Sequence, residues 1–274
     1  MPATNTRKRS KGQKKNNSGK RQRTDATVQD SDTTPESWQP ETIIVQLEKV
    51  LRRKGNARDA TAMKKYMRDQ FEFFGVKSTP RREIIRQIMG GKKSGLSKTD
   101  IRKFAEVLWG KPQRELQHVA MEFLEKHRKT LCEEDSDFPE NLEFFQMLIT
   151  TKSWWDTVDM LAYKLVGYLV QTHPTMGKPA MHEWISSDNM WMRRTAILHQ
   201  LGCKEDRDDE MLFQFCKARC HEEEFFIRKA IGWSLRDYAK TNPNKVKKFL
   251  LEHKDSLSKL SFNEAAKHLK MAKK

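Results

Sequence analysis

Three short stretches carry residue types able to do chemistry. In TTKSWWDTVDMLA, residues 150–162, two tryptophans and two aspartates fall within six residues at a predicted helix start. Tryptophan is costly to expose and aspartate costly to bury. Ser153 with Asp156 fits a capping pattern, serine at the N-cap and an acid at N3, which leaves Asp156 without chemistry. At about 100° per residue, Trp154, Val158, Leu161, Leu165 and Leu169 form one apolar stripe, so Trp154 reads as core. Trp155 and Asp159, four residues apart, fall together roughly 80–120° off that stripe. A Trp face above a carboxylate beside the core suits a cationic or sugar ligand. The plain alternative packs Trp155 on a neighbouring helix and pairs Asp159 with a lysine.

In MWMRRTAILHQLG, residues 190–202, the stripe Met190, Ile197, Leu198, Leu201 contains Arg194 and has Arg193 at its edge. An arginine on an apolar face snorkels to water or finds an anion. In EEEFFIRKAIGWSLRDYAK, residues 222–240, the inner face is Ile227, Ala230, Ile231, Ser234 and Tyr238. Trp233 lies to one side with Lys229, Arg236 and Lys240. Cations for phosphate and a flat ring for sugar or base are what a nucleic-acid groove requires. Packing between helices is the plain alternative for Trp233. Cys216, Cys220 and His221 lack a second ligand pair with zinc spacing, and His253, Asp255 and His268 fall on predicted surface helices. Neither set is read as a metal site.

The elements that must position these residues are helical. Apolar spacing of the three–four kind covers segments near 41–54, 57–71, 80–90, 97–109, 113–128, 139–150, 154–172, 178–187, 190–201, 208–220, 222–240, 243–253 and 261–272. Glycines and prolines punctuate them, and no period-two alternation of strand type is sustained. Helices joined by short links predict an all-α chain, in the form of a HEAT-like, ARM-type helical-repeat superhelix or, failing that, a plain bundle.

The 274 residues are 36% hydrophobic and 33% charged, and Lys+Arg exceed Asp+Glu by 53 to 37, a net +16. That excess predicts attraction to a polyanion. No run of about 18 apolar residues indicates a membrane span, and four cysteines suggest a reducing compartment. Residues 1–40 form a separate basic tail with nine Lys/Arg and no acid in its first 24 positions. It reads as disordered, since it lacks the apolar surface to offset its ordering entropy. RKRSKGQKK and KRQR have the character of a bipartite nuclear localisation signal or a loose DNA-binding arm. Nuclear localisation is therefore expected, or cytoplasmic in a prokaryotic host. Residues 41–274 are expected to form the functional domain.

With these residues placed, the chain resembles a known family. SWWDTVDMLA, NMWMRRTAILHQL and EEFFIRKAIGWSLRDYAKTNP resemble the signature stretches of the AlkD-type DNA alkylation repair enzymes, the HEAT-like-repeat alkylpurine DNA glycosylases. MKKYMRDQFEFFGVKSTPRREI is similar to that family's N-terminal segment, and the resemblance spans about residues 41 to 272. It implies a helical solenoid whose concave basic face cradles duplex DNA. It further implies base excision repair by hydrolysis of the N-glycosidic bond of N3- or N7-alkylated purines, with no metal or organic cofactor. Asp159 matches the catalytic aspartate, Trp155 and Trp233 the sugar-facing tryptophans, Arg194 the site arginine and Tyr66 an N-terminal aromatic residue. Arg193 and Ser234 fall at the expected pocket rim. Such a cradle needs one chain, so a monomer is expected. The competing reading is a non-catalytic helical scaffold for nucleic acid or an acidic protein partner. A pure binder has no need of a carboxylate amid phosphate-binding bases.

Overall fold

The structure, a computed structural model, describes residues 38–90, 95–272 and 274. The chain divides into two units, Met1–Ser37 and Trp38–Lys274. The basic segment, with the disorder and localisation expected of it, lies outside the described residues. Trp38 belongs to the second unit, where it stacks on Phe123 and meets Phe104 edge-on at 5.1 Å.

The described residues contain no strand, and one isolated parallel bridge joins Glu72 to Gln113. In order, the α-helices are α1 (Pro40–Lys54), α2 (Ala57–Tyr66), α3 (Ser78–Met89), α4 (Lys98–Gly110), α5 (Arg114–Leu131), α6 (Phe138–Thr150), α7 (Trp155–Met160), α8 (Gly167–Thr172), α9 (Pro174–Trp184), α10 (Met190–Leu198), α11 (Asp209–Ala218), α12 (Phe225–Tyr238), α13 (Pro243–Glu252) and α14 (Lys259–Ala265). No described helix is long and apolar enough to cross a membrane. The three–four periodicity found the elements because each helix has one face to bury. Val158, Leu161, Leu165 and Leu169 are buried, as are Ile227, Ala230, Ile231, Ser234 and Tyr238.

Several boundaries differ from the periodicity. The helix expected over 57–71 stops at Tyr66, because Arg68 and Asp69 take left-handed φ values of 54° and 60° and the Asp69 amide bonds the Lys64 carbonyl. That closure, a Schellman-type stop, leaves Tyr66 at the helix end, 70% exposed. The helix expected over 178–187 begins at Pro174 and runs through Pro179. The N–H that proline lacks would have served the Thr175 carbonyl, which sits in an exposed first turn open to water.

The run expected over 154–172 is continuous but not uniform, since residues 161–166 form a π turn between α7 and α8. Such turns concentrate at functional sites, and this one follows Asp159 directly. At its end Gly167 passes against the end of α10, where a Cβ would lie 2.1 Å from the His199 carbonyl oxygen. Only glycine allows that crossing, and it holds α7 and α8 against α10.

His199 is buried, with Nδ1 donating to the Ala196 carbonyl at 2.7 Å, and burial pushes its pKa down to about 4. Its folded pKa lies below its unfolded value near 6.5. The protein therefore keeps its full stability above that value and loses it as pH falls towards 4, by about 3 kcal/mol from this group. Burial lowers His118 in the same direction. Urea unfolding at pH 7 and pH 4.5 is expected to show this loss, and His199→Gln is expected to flatten it.

Candidate active site

The candidate site is built where α7, α10 and α12 meet. Trp155 and Asp159 project from one side of α7, one turn apart. Asp159 is 7% exposed, and Arg194 of α10 grips it with both prongs: Nε to Oδ1 at 2.7 Å and Nη2 to Oδ2 at 2.8 Å. The remaining guanidinium nitrogen, Nη1, donates to the Phe226 carbonyl in the first turn of α12. One arginine on α10 thus ties its own helix to α7, which carries Trp155 and Asp159, and to α12, which carries Trp233. Burial pushes the Asp159 carboxyl above the ordinary carboxylate value, while the Arg194 hydrogen bonds and charge pull it back down. The two-pronged pair is the ionised form. Arg194 is 4% exposed, and the anion it finds is Asp159, with the α12 backbone as its other partner.

Trp155 is half-buried and meets the ring of Tyr66 edge-on at 5.8 Å. The resemblance alone pointed to Tyr66, and the structure brings it to the site. Trp233 is half-buried on α12, on the same side as Phe226, Lys229, Arg236 and Lys240, a three–four stripe. The bases of that stripe already have partners. Lys229 Nζ lies 2.7 Å from Glu264 Oε2, Arg236 bonds Glu264 Oε1, and the exposed Lys240 lies 3.0 Å from Asp237 Oδ1. Arg193 is structural in this state. It pairs with Glu222 at 2.9 Å and donates to the carbonyls of Ser187 and Asp188, closing the loop before α10.

Two sequence-based expectations fail at the start of α7. Ser153 is not the N-cap: its hydroxyl donates back to the Ile149 carbonyl, and Trp154 stands at the cap without a side-chain cap bond. Asp156 accordingly does not cap the helix. It accepts Arg114 Nη2 at 2.7 Å, Arg114 Nε at 3.0 Å and His118 Nε2 at 2.8 Å. Burial would raise the Asp156 carboxyl, but the His118 and Arg114 contacts outweigh it and hold the group well below the usual carboxylate range. An Arg81 Nη1 lies 3.2 Å from His118 Nδ1. A guanidinium only donates, so Nδ1 accepts and Nε2 carries the proton given to Asp156. Trp154 is likewise not core. It is half-buried in an aromatic cluster with Trp191 and Phe226, at 6.0 and 5.3 Å.

The same hub organises the Tyr66 side. Arg114 lies over the Phe71 ring at 3.7 Å and its amide bonds the Glu72 carbonyl at 2.8 Å. The Glu115 carboxylate accepts the amides of Phe74, Gly75 and Val76. The start of α5 therefore anchors both the segment after Tyr66 and the helix bearing Trp155. Asp156, Arg114, His118, Phe226 and Glu264 were missed as site supports. Their partners stand 28 to 43 residues away in sequence, and local spacing carries no signal of such pairings.

Fold and site together define an all-α helical-repeat protein with an arginine-clamped carboxylate one helical turn from a tryptophan. The family model described as DNA alkylation repair enzyme matches residues 47–269, and the chain belongs to that family. It is similar to the structure described as a predicted DNA alkylation repair enzyme from Enterococcus faecalis, with 31% identity and a TM-score of 0.71 over 80% of this chain and 98% of that one. AlkD2 from Streptococcus mutans shares the fold at 21% identity, TM-score 0.53, over 76% of this chain and 100% of that one. So does smu.31 from Streptococcus mutans UA159, at 21% identity and TM-score 0.52, over 75% and 98%. Comparison with curated proteins finds no match. The family assigns the chain a role in DNA alkylation repair, which implies DNA as its partner.

Proposed function

We propose that this protein is a monofunctional DNA glycosylase that hydrolyses the N-glycosidic bond of N3- or N7-alkylated purines in duplex DNA. The observation that carries the reading is the buried Asp159 carboxylate, held ionised by Arg194 and sharing a helix face with Trp155. Alkylation at a purine nitrogen makes the base cationic and already a good leaving group, so no strong general acid is required. What the reaction needs is stabilisation of the positive charge that develops on the deoxyribose as the bond breaks. Asp159 supplies it through space and orients the attacking water. Trp155 and Trp233 offer their ring faces to the same cation, about 0.5–2 kcal/mol each. The bases along α12 hold the phosphates, and their charge alone would oppose the sugar cation. A carboxylate at the centre answers that opposition, which is why the scaffold reading fits less well. The Tyr66 ring meets Trp155 edge-on and adds a third aromatic surface beside the site.

The test is release of free base from duplex DNA carrying 7-methylguanine, with unmodified duplex as the control. A pH prediction accompanies it. Because burial raises the Asp159 carboxyl, activity lost on acidification is expected to fall away at a pH above the ordinary carboxylate value of 3.8. Single-turnover rates from pH 3.5 to 8, corrected for spontaneous depurination, check this. A rate that stays flat down to pH 4 would contradict the role given to Asp159.

A further inference from the structure

Lys229 and Arg236 stand one turn before and one turn after Trp233, and both converge on the single carboxylate of Glu264 in α14. The stem of Glu264 is pinned: a Cβ on Gly232 would lie 2.6 Å from the Glu264 Cβ, so α12 and α14 touch there. The carboxylate beyond that stem is the part able to move. Glu264 also lines an open cleft of about 830 Å³, together with Arg228, Lys259 and Lys267. Lys259 and Lys267 are exposed, and among the described residues no acid pairs with either. Two cations around one oxyanion form the arrangement that grips a phosphodiester.

We propose that Glu264 is an internal stand-in for DNA phosphate. Its carboxylate holds the Lys229–Arg236 site closed in the free protein, and a backbone phosphate displaces it into the basic cleft. The inference rests on duplex DNA as the partner, but not on base excision. In the closed state the two bases flanking Trp233 are balanced by an acid, so loose attraction to DNA is reduced. In the open state Glu264 turns to Lys259 or Lys267, and the displaced charge keeps a counter-ion.

The test measures binding to an undamaged duplex as a function of salt. Glu264→Asp keeps the charge but is one methylene too short to bridge both bases. It is expected to bind at least about threefold tighter than wild type. Glu264→Gln is expected to bind tighter still, with the slope of log affinity against log salt steeper by about 0.9 for each phosphate contact freed. Both gains are expected to vanish when Lys229→Met and Arg236→Met are added. Thermal melts of every variant check that the fold is kept, and the aspartate variant serves should the glutamine variant unfold. Wild-type affinity in Glu264→Asp, or a Glu264→Gln gain that persists without the two bases, would overturn the proposal. Failure of all proteins to bind duplex would bring down the DNA reading as well. Duplex binding without base release would contradict the glycosylase assignment and leave this inference to be decided by the aspartate variant.

Discussion

Asp159→Asn is expected to lower single-turnover base release by about a hundred- to a thousandfold while leaving duplex affinity unchanged or slightly tighter. The magnitude follows from removing one preorganised electrostatic group, typically about 2.7–4 kcal/mol of transition-state stabilisation. The direction of the binding change follows from the charges. Asp159 is an acid in a chain of net charge +16 that binds a polyanion, so its loss relieves one repulsion with phosphate. The fold is expected to survive. Burial raises the Asp159 carboxyl, so folding already disfavours its charge, and the amide removes that cost. Against this, the buried Arg194 loses its counter-charge, and the two effects oppose each other. A thermal melt beside the kinetics separates lost chemistry from lost structure. An active Asp159→Asn protein would remove the carboxylate from the mechanism.

Asp156→Ala is expected to have the largest effect on stability. Arg114 is fully buried, and among the described residues Asp156 is its one carboxylate partner, with the Lys152 carbonyl and the Thr157 hydroxyl as other acceptors. Removing one member of a buried pair leaves the other charge uncompensated, at about 3–5 kcal/mol. For a domain of this size that corresponds to a melting temperature lower by roughly 6–20 °C. The pH dependence carries a second signature. The folded pKa of Asp156 is depressed, so its stabilisation is present above its unfolded value near 3.8 and is lost as pH falls below it. Urea unfolding of wild type is expected to weaken below pH 4, and that limb is expected to flatten in Asp156→Ala. Removing both charges, Asp156→Ala with Arg114→Met, is expected to recover part of the loss. If the double variant is no more stable than the single one, the pair is not the anchor described here.

The sequence made some of this legible and hid the rest for physical reasons. Helices follow from apolar spacing, because each has a face to bury and 3.6 residues per turn mark it. Arg194 was partly legible: a guanidinium on an apolar stripe either snorkels to water or finds an anion, and here it finds Asp159. The pairing of Trp155 with Asp159 was legible as one face of one helix. Ser153 and Asp156 misled because the capping pattern is local, whereas the partner that claims Asp156 is Arg114, 42 residues earlier. Glu264 was silent for the same reason, since Lys229 reaches it across 35 residues. The π turn at 161–166 leaves the buried stripe nearly unchanged, so periodicity passes over it.

We propose that a carboxylate fixed by an arginine makes this helical repeat a glycosylase. The most direct measurement places wild type and Asp159→Asn side by side on one duplex containing 7-methylguanine and assays free base and strand integrity in the same reaction. Wild type is expected to give free 7-methylguanine and an unbroken sugar–phosphate backbone, and the variant an intact lesion. Tight duplex binding by both proteins with no base released by either would contradict it, and the helical repeat would then stand as a DNA-binding scaffold.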